Sequence, residues 1–176
     1  RRYSVDRKIV THWEHLNEPN LGEEGGCPFL IPGEEENHTF YRMLIEPVLE
    51  VFPQAKVGGP AASHYDCPML GEFIKLCHDH HTPLDFISWH TYKDDPASMA
   101  MQTEYVRRLA ACYSDTARPE LMLNEMNKGF DYQDDTHPSY HLVSVEEQAH
   151  QGKRAAFLAS AVISMADAGL DWAPYF

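Results

Sequence analysis

Five short strand-like segments alternate with four helical ones along this chain, and that alternation limits the folds open to it. Ile9 to Leu16, Lys56 to Ala61, Leu84 to Tyr92, Glu120 to Met126 and Leu170 to Phe176 read as strands. The first helix is expected after Asn37, a good N-cap, with Phe40, Leu44, Val48 and Val51 at helical spacing. Pro47 inside that pattern should kink or divide it. Asp66 can cap a second helix, whose buried stripe is Leu70, Phe73, Ile74 and Cys77. A third runs from Pro96 to Tyr113, with Met101, Tyr105, Leu109 and Ala110 as its stripe. Ser144-Val145-Glu146-Glu147 is a capping box for the fourth, which runs through Phe157, Leu158, Ala161, Val162 and Met165 towards Gly169.

The order βαβαβαβαβ argues for an α/β fold with a parallel sheet and right-handed crossovers. A doubly wound open sheet would place a glycine-rich phosphate turn after its first strand. Here the first strand runs into Glu18-Pro19-Asn20 instead. Polar residues stand at the carboxyl ends of separate strands, which is the pattern of a (β/α)8 TIM barrel. A complete barrel takes about 250 residues. The 176 residues here would supply part of one, as a single unit over residues 1–176. Gly58-Gly59-Pro60 at the second strand allows a close approach of backbones.

Two strands end on a glutamate: Glu18 after the first and Glu125 in the fourth. Hydrolysis of a glycosidic bond with retention needs two carboxyl groups about 5–5.5 Å apart, one to protonate the leaving oxygen and one to attack the sugar carbon. Glu18 and Glu125 lie 107 positions apart, three strands on, which in a barrel places them across one mouth. In the third strand, alternation puts Phe86, Ser88, His90 and Tyr92 on one face, and Ile87, Trp89 and Thr91 on the other.

Asn17-Glu18-Pro19-Asn20-Leu21, the later Lys56-Val57-Gly58-Gly59-Pro60-Ala61, His90-Thr91-Tyr92 and Asn124-Glu125-Met126-Asn127 together resemble glycoside hydrolase family 39. That family belongs to the clan A retaining glycosidases and includes β-xylosidases and α-L-iduronidases. The resemblance runs from Tyr3 to about Trp172. It implies a partial barrel of about strands four to eight, with strands one to three absent. It implies Glu18 as acid/base, Glu125 as nucleophile and Asn17 as the amide on the sugar 2-hydroxyl. His90 and Tyr92 would line the cleavage subsite, with Tyr92 bonded to the nucleophile, and Trp172 would be an aromatic platform for the sugar ring. Two departures stand out: Leu16 occupies the position of the family's usual Trp, and the residues flanking Glu125 differ. A β-xylosidase-like exo-glycosidase is the leading expectation. An endo-acting glucanase or mannanase of the same clan, and a sugar-binding barrel without catalysis, are the alternatives.

Composition narrows the partners. A formal charge of −13, with no basic cluster longer than Arg107-Arg108 or Lys153-Arg154 after the first residues, argues against nucleic acid. No apolar run approaches the roughly 20 residues of a membrane helix. A carbohydrate substrate without a cofactor is expected. His78, Asp79, His80 and His81 invite a metal reading, but such side chains also suit a helix C-terminus and no further ligand stands at a recognised spacing, so no metal is expected. The five glutamates between residues 20 and 36 read as a solvated loop, and residues 127–143 as a polar rim loop. The four cysteines read as free thiols.

Overall fold

The computed structural model describes residues 1–25, 27, 31, 33–113, 118–127 and 145–175. Strands β1 (His12–Glu14), β2 (Lys56–Ala62), β3 (Phe86–Tyr92) and β4 (Glu120–Asn127) form one sheet in chain order, and every pairing is parallel. Helices α1 (Glu34–Val51), α2 (Pro68–Asp79) and α3 (Pro96–Ala111) connect them, and α4 (Val145–Asp167) follows β4. The fifth strand-like segment lies parallel to β4 through two isolated bridges, Met122 with Trp172 and Met126 with Tyr175. Sequential order without a reversal is that of a barrel, whereas doubly wound sheets reverse at a switch point.

The sheet is curved. His12 and Glu120 sit on β1 and β4, which three interstrand steps would separate by about 14 Å in a flat sheet. Yet His12 Nε2 lies 3.0 Å from Glu120 Oε2, and Asn124 Nδ2 lies 2.6 Å from Glu14 Oε2. Side chains standing on a flat sheet would not meet over two intervening strands. The four strands are an arc of a barrel, and these polar groups face its lumen.

The convex face is apolar. Ile87 and Trp89 of β3 and Leu121, Leu123 and Met126 of β4 pack with Leu70, Ile74, Met99, Val106, Phe157, Ala161 and Met165 from the helices. A second cluster joins Val57 to Tyr41, Ile45, Phe73 and Cys77 under α1 and α2. The alternation read in β3 therefore holds, with Ile87 and Trp89 helix-facing. Cys27, Cys67, Cys77 and Cys112 are all free thiols. Among the described residues, no helix is long and apolar enough to cross a membrane.

Several local expectations are corrected. Helix α1 begins at Glu34, one turn before Asn37, with Gly33 at its N-cap position. Glu34, Glu35 and Glu36 fill the first turn, where negative charge complements the helix dipole. Asn37 is buried instead, and its Oδ1 pairs with His15 Nε2 at 3.3 Å. Pro47 does not divide the helix, which continues to Val51 with Pro47 exposed. Helix α2 starts at Cys67-Pro68 rather than from an Asp66 cap, because proline is preorganised for the first helical position. In α3 the cap is a real side-chain one: Asp95 accepts from the amides of Ala97 and Ser98. Strand β1 spans three residues rather than eight. Ser144 and the loop at 128–143 lie outside the described residues.

Two positions, Gly58 on the lumen face and His15 on the convex face, give testable consequences. A Cβ at Gly58 would stand 2.2 Å from the Phe86 carbonyl oxygen and 2.6 Å from its ring. Gly58→Ala should cost about 3 kcal/mol through overpacking, read as a drop of about 10 °C in thermal unfolding. His15 stacks on Phe73 at 5.4 Å and meets Tyr41 at 5.0 Å. Burial lowers its pKa from 6.5 to about 4, against weaker opposing hydrogen bonds from Asn37 and Gly58. The unfolded chain therefore takes up a proton that the folded chain refuses. Stability conferred by neutral His15 is full above pH 6.5 and falls as pH drops to about 4, by up to about 3 kcal/mol. Thermal unfolding of the parent and of His15→Phe across that window should give curves that diverge towards acid, with the variant the less acid-sensitive.

Candidate active site

The lumen end of the arc is organised by two irregularities in otherwise regular strands. Along β4, Leu121 and Leu123 face the helices, so strict alternation would send Glu125 the same way. The register shows why it does not: Trp89 pairs with Leu123, and the next residue, His90, pairs with Glu125. Asn124 is an extra residue, a β-bulge, and beyond it the phase is inverted. Glu125 thereby joins His90 on the lumen side, and Met126 returns to the core. In β2 a second shift falls between Gly59 and Ala62. Ala61 there has φ +53° and donates its amide to Ser88 Oγ at 2.9 Å, while its carbonyl accepts the Glu18 amide at 3.0 Å. Glu18 itself has φ +43°. Left-handed backbone at a residue with a Cβ costs about 1–2 kcal/mol, so both conformations are held by their surroundings. The loop after Glu18 is braced as well: Asn20 donates to Ser63 Oγ at 2.6 Å and accepts the Ser63 amide at 3.0 Å.

These elements bring four of the sequence-predicted residues together. His90 is buried, with a side chain 1% exposed, between the carboxylates of Glu18 (17%) and Glu125 (23%). Its Nδ1 shares a hydrogen bond with Glu18 Oε1 at 2.9 Å and lies 3.7 Å from Glu125 Oε2. Tyr92 donates its hydroxyl to Glu125 Oε1 at 2.5 Å. One ligand atom from each of Glu18, His90 and Glu125 falls within 4.8 Å of the others. Two carboxylates at this separation, both partly open to one mouth, suit a double displacement at a sugar carbon. The same donor set would suit a divalent cation. Among the described residues, the His78–His81 run forms no such convergence. His80 instead stacks on His38 at 5.0 Å. Asn17 is exposed beside Glu18, at the carboxyl end of β1.

Trp172, expected as a platform, lies lower on the lumen face than these four residues. It bridges to Met122, two ladder steps before Glu125 once the bulge is counted, or roughly 7 Å down the strand. Its indole donates to Glu120 Oε2 at 3.2 Å and meets the His12 ring edge-on at 5.6 Å. Lys56 also bonds Glu120. Burial would raise the Glu120 carboxyl, but the hydrogen bonds from Lys56, His12 and Trp172 together bring it below its ordinary value. This is the floor of the lumen. At the mouth end of the same segment stands Tyr175, whose hydroxyl donates to Asn127 Oδ1 at 2.8 Å.

Sequence reading missed one lumen group altogether. Glu14 accepts the Ser88 hydroxyl on Oε1 and the Asn124 amide on Oε2. Crowding by the sheet raises its carboxyl above the ordinary range, and the Ser88 bond, the charge of His90 and the Asn124 bond oppose the shift. The residue keeps an exposed side towards the lumen. Its alternation with His12 placed it on the lumen face; its partners lie far off in the chain and were not readable.

The chain is similar to proteins of known kind. Residues 1–173 match the description of glycosyl hydrolases family 39. A β-xylosidase of Geobacillus stearothermophilus is 29% identical over 91 residues, which are 52% of this chain and 17% of that protein. The structure of a glucosidase from Croceicoccus marinus superposes with a TM-score of 0.75 at 27% identity, covering 96% of this chain and 33% of that one. An endo-β-1,3-glucanase of Amycolatopsis mediterranei, solved with laminaritriose, shares the fold at a TM-score of 0.58 and 18% identity, over 94% of this chain and 61% of its own. The chain thus spans about a third of the glucosidase's length. With nearly its whole length matched, the chain belongs to glycosyl hydrolases family 39.

Proposed function

We propose that this half-barrel carries the two reacting carboxylates of a retaining exo-glycosidase, β-xylosidase-like, and forms about strands four to eight of a closed (β/α)8 barrel. The observation that carries the reading is the convergence of Glu18 and Glu125 to within 4.8 Å at one strand-end mouth. The β-xylosidase and glucosidase relatives support a substrate that is a small-sugar glycoside.

In the first step Glu125 attacks the anomeric carbon while Glu18 gives its proton to the glycosidic oxygen. The carbon–oxygen bond breaks and the aglycone leaves as an alcohol, with the sugar esterified to Glu125. In the second step Glu18, now a carboxylate, takes a proton from water, whose oxygen attacks the same carbon. The ester bond breaks, Glu125 is regenerated and the sugar leaves with its configuration retained. Tyr92 holds one oxygen of Glu125 by its hydroxyl and so aims the other at the sugar. His90 fixes the Glu18 carboxyl from the buried side. Asn17, exposed next to Glu18, would meet the sugar 2-hydroxyl, as the family resemblance implies.

The test begins with kinetics on nitrophenyl β-xyloside and β-glucoside. Xyloside should have the higher kcat/KM, and xylo-oligosaccharides should release xylose from one end. Internal cleavage products would replace the exo reading with the endo one. Glu125→Gln should lower kcat by about 1,000-fold or more and abolish trapping by a fluorinated sugar with an activated leaving group. Glu18→Gln should lose about 100-fold or more on phenyl glycoside and far less on dinitrophenyl glycoside, which leaves without a proton. Equal losses on both leaving groups would remove Glu18 from the acid role. Tyr92→Phe, with the ring kept and the donor gone, should reduce kcat by about 10- to 100-fold.

A further inference from the structure

We infer that Glu14 is a positioning residue that sets the spacing of the two reacting glutamates, one carboxylate oxygen tied to each. The inference rests on the double-displacement reading of Glu18 and Glu125. One arm runs from Oε1. The Ser88 hydroxyl donates to that oxygen and accepts the Ala61 amide at 2.9 Å, and the Ala61 carbonyl accepts the Glu18 amide at 3.0 Å. The other arm runs from Oε2 to the Asn124 amide at 2.6 Å, and Asn124 precedes Glu125 in the chain.

Each arm ends on a backbone irregularity that needs holding. The first ends at the β2 shift, where Ala61 and then Glu18 adopt positive φ. The second ends at the β4 bulge, where the inward side chain of Asn124 keeps the extra residue in place and Glu125 turned to the lumen. A carboxylate suits the central position because it only accepts, and both groups that reach it donate. Its two oxygens are fixed relative to each other, so movement of one arm is passed to the other. Glu14 stands on β1, whose ladder to β2 pairs it with Gly58. The lumen face there carries no side chain from β2, which leaves the carboxylate a clear path to β3 and β4.

The two arms predict different kinetic signatures. In the full-length enzyme, Ser88→Ala releases the acid side. Its loss on phenyl glycoside should exceed its loss on dinitrophenyl glycoside by about tenfold, since only the former needs the proton. Asn124→Ala releases the nucleophile side and should slow both substrates alike. Glu14→Ala releases both, with kcat falling by about 100-fold as the groups drift by a fraction of their working distance. KM should stay nearly unchanged. Adding Asn124→Ala to Glu14→Ala should change kcat by no more than about twofold, because the arm is already cut. Glu14→Gln should restore the Asn124 arm through its oxygen, while its amide offers the Ser88 hydroxyl no acceptor, so the loss that remains should be the one larger on phenyl than on dinitrophenyl glycoside.

Rates are to be normalised to sites trapped by the fluorinated sugar, which removes loss from misfolding. A Glu14→Ala enzyme with native kcat per trapped site overturns the inference. So does a uniform loss on both leaving groups for Ser88→Ala, which remains decisive where Glu14→Ala does not fold. A native enzyme that traps the sugar on a residue other than Glu125 overturns the underlying function instead, and the positioning role with it.

Discussion

A single inserted residue in a strand sets the direction of the Glu125 carboxylate. Parallel pairing to β3 fixes the phase of β4, and by that phase alone Glu125 would point into the helices. Burying an ionised carboxylate there among Trp89, Leu123 and Met126 would cost several kcal/mol. The bulge at Asn124 removes that conflict by inverting the phase for the last residues of the strand. It also leaves two polar side chains on consecutive lumen positions. One of them is spent on a structural bond to Glu14, and the other stays partly open to the mouth.

The rest of the fold makes that bulge tolerable. Downstream of it Met126 re-enters the same apolar cluster as Leu121 and Leu123, so the strand regains its anchoring within two residues. The segment at 171–175 then pairs against the bulged strand from the other side through Met122 and Met126. In β2 the corresponding irregularity follows Gly58 and Gly59, where β3 and His15 come too close for any side chain. The glycines let the strands draw together, and Ala61 turns its amide to Ser88 and its carbonyl to Glu18 instead of to a ladder partner. Polar network and backbone irregularity are therefore one device seen from two sides.

The convex face and the lumen divide the labour. Apolar residues on the helix side supply the burial that holds the sheet, and a clear alternation in the sequence marks them. Lumen residues carry charge in layers: Lys56, Glu120, His12 and Trp172 at the floor, Glu14 with Ser88 and Asn124 above, and Glu18, His90, Tyr92 and Glu125 at the mouth. Layering of this kind sets Trp172 below the mouth group. Its strand was identified correctly, but its height along the strand depends on pairing register, and only the bridge to Met122 sets that. Asn37 and Asp66 were misread for a related reason: both are good local caps, yet Asn37 is drawn into a buried bond with His15, and Pro68 starts its helix without side-chain help.

By itself the sequence determined the order of elements, the parallel sheet, the helix-facing alternation of β3 and two strands that end on a glutamate. Those follow from short-range periodicity and from residue types at strand ends, which are local properties. Grouping His90 and Tyr92 with Glu18 and Glu125 came from the resemblance to family 39. Tertiary structure alone decided which way Glu125 points, how close it comes to Glu18, and that Glu14 joins the two. Side-chain direction in a strand has a period of two residues, so one bulge reverses it, and a bulge is specified by pairing with a neighbour rather than by its own residues. Distances across the lumen depend in turn on the curvature of the whole sheet, a quantity that no single stretch of the chain contains.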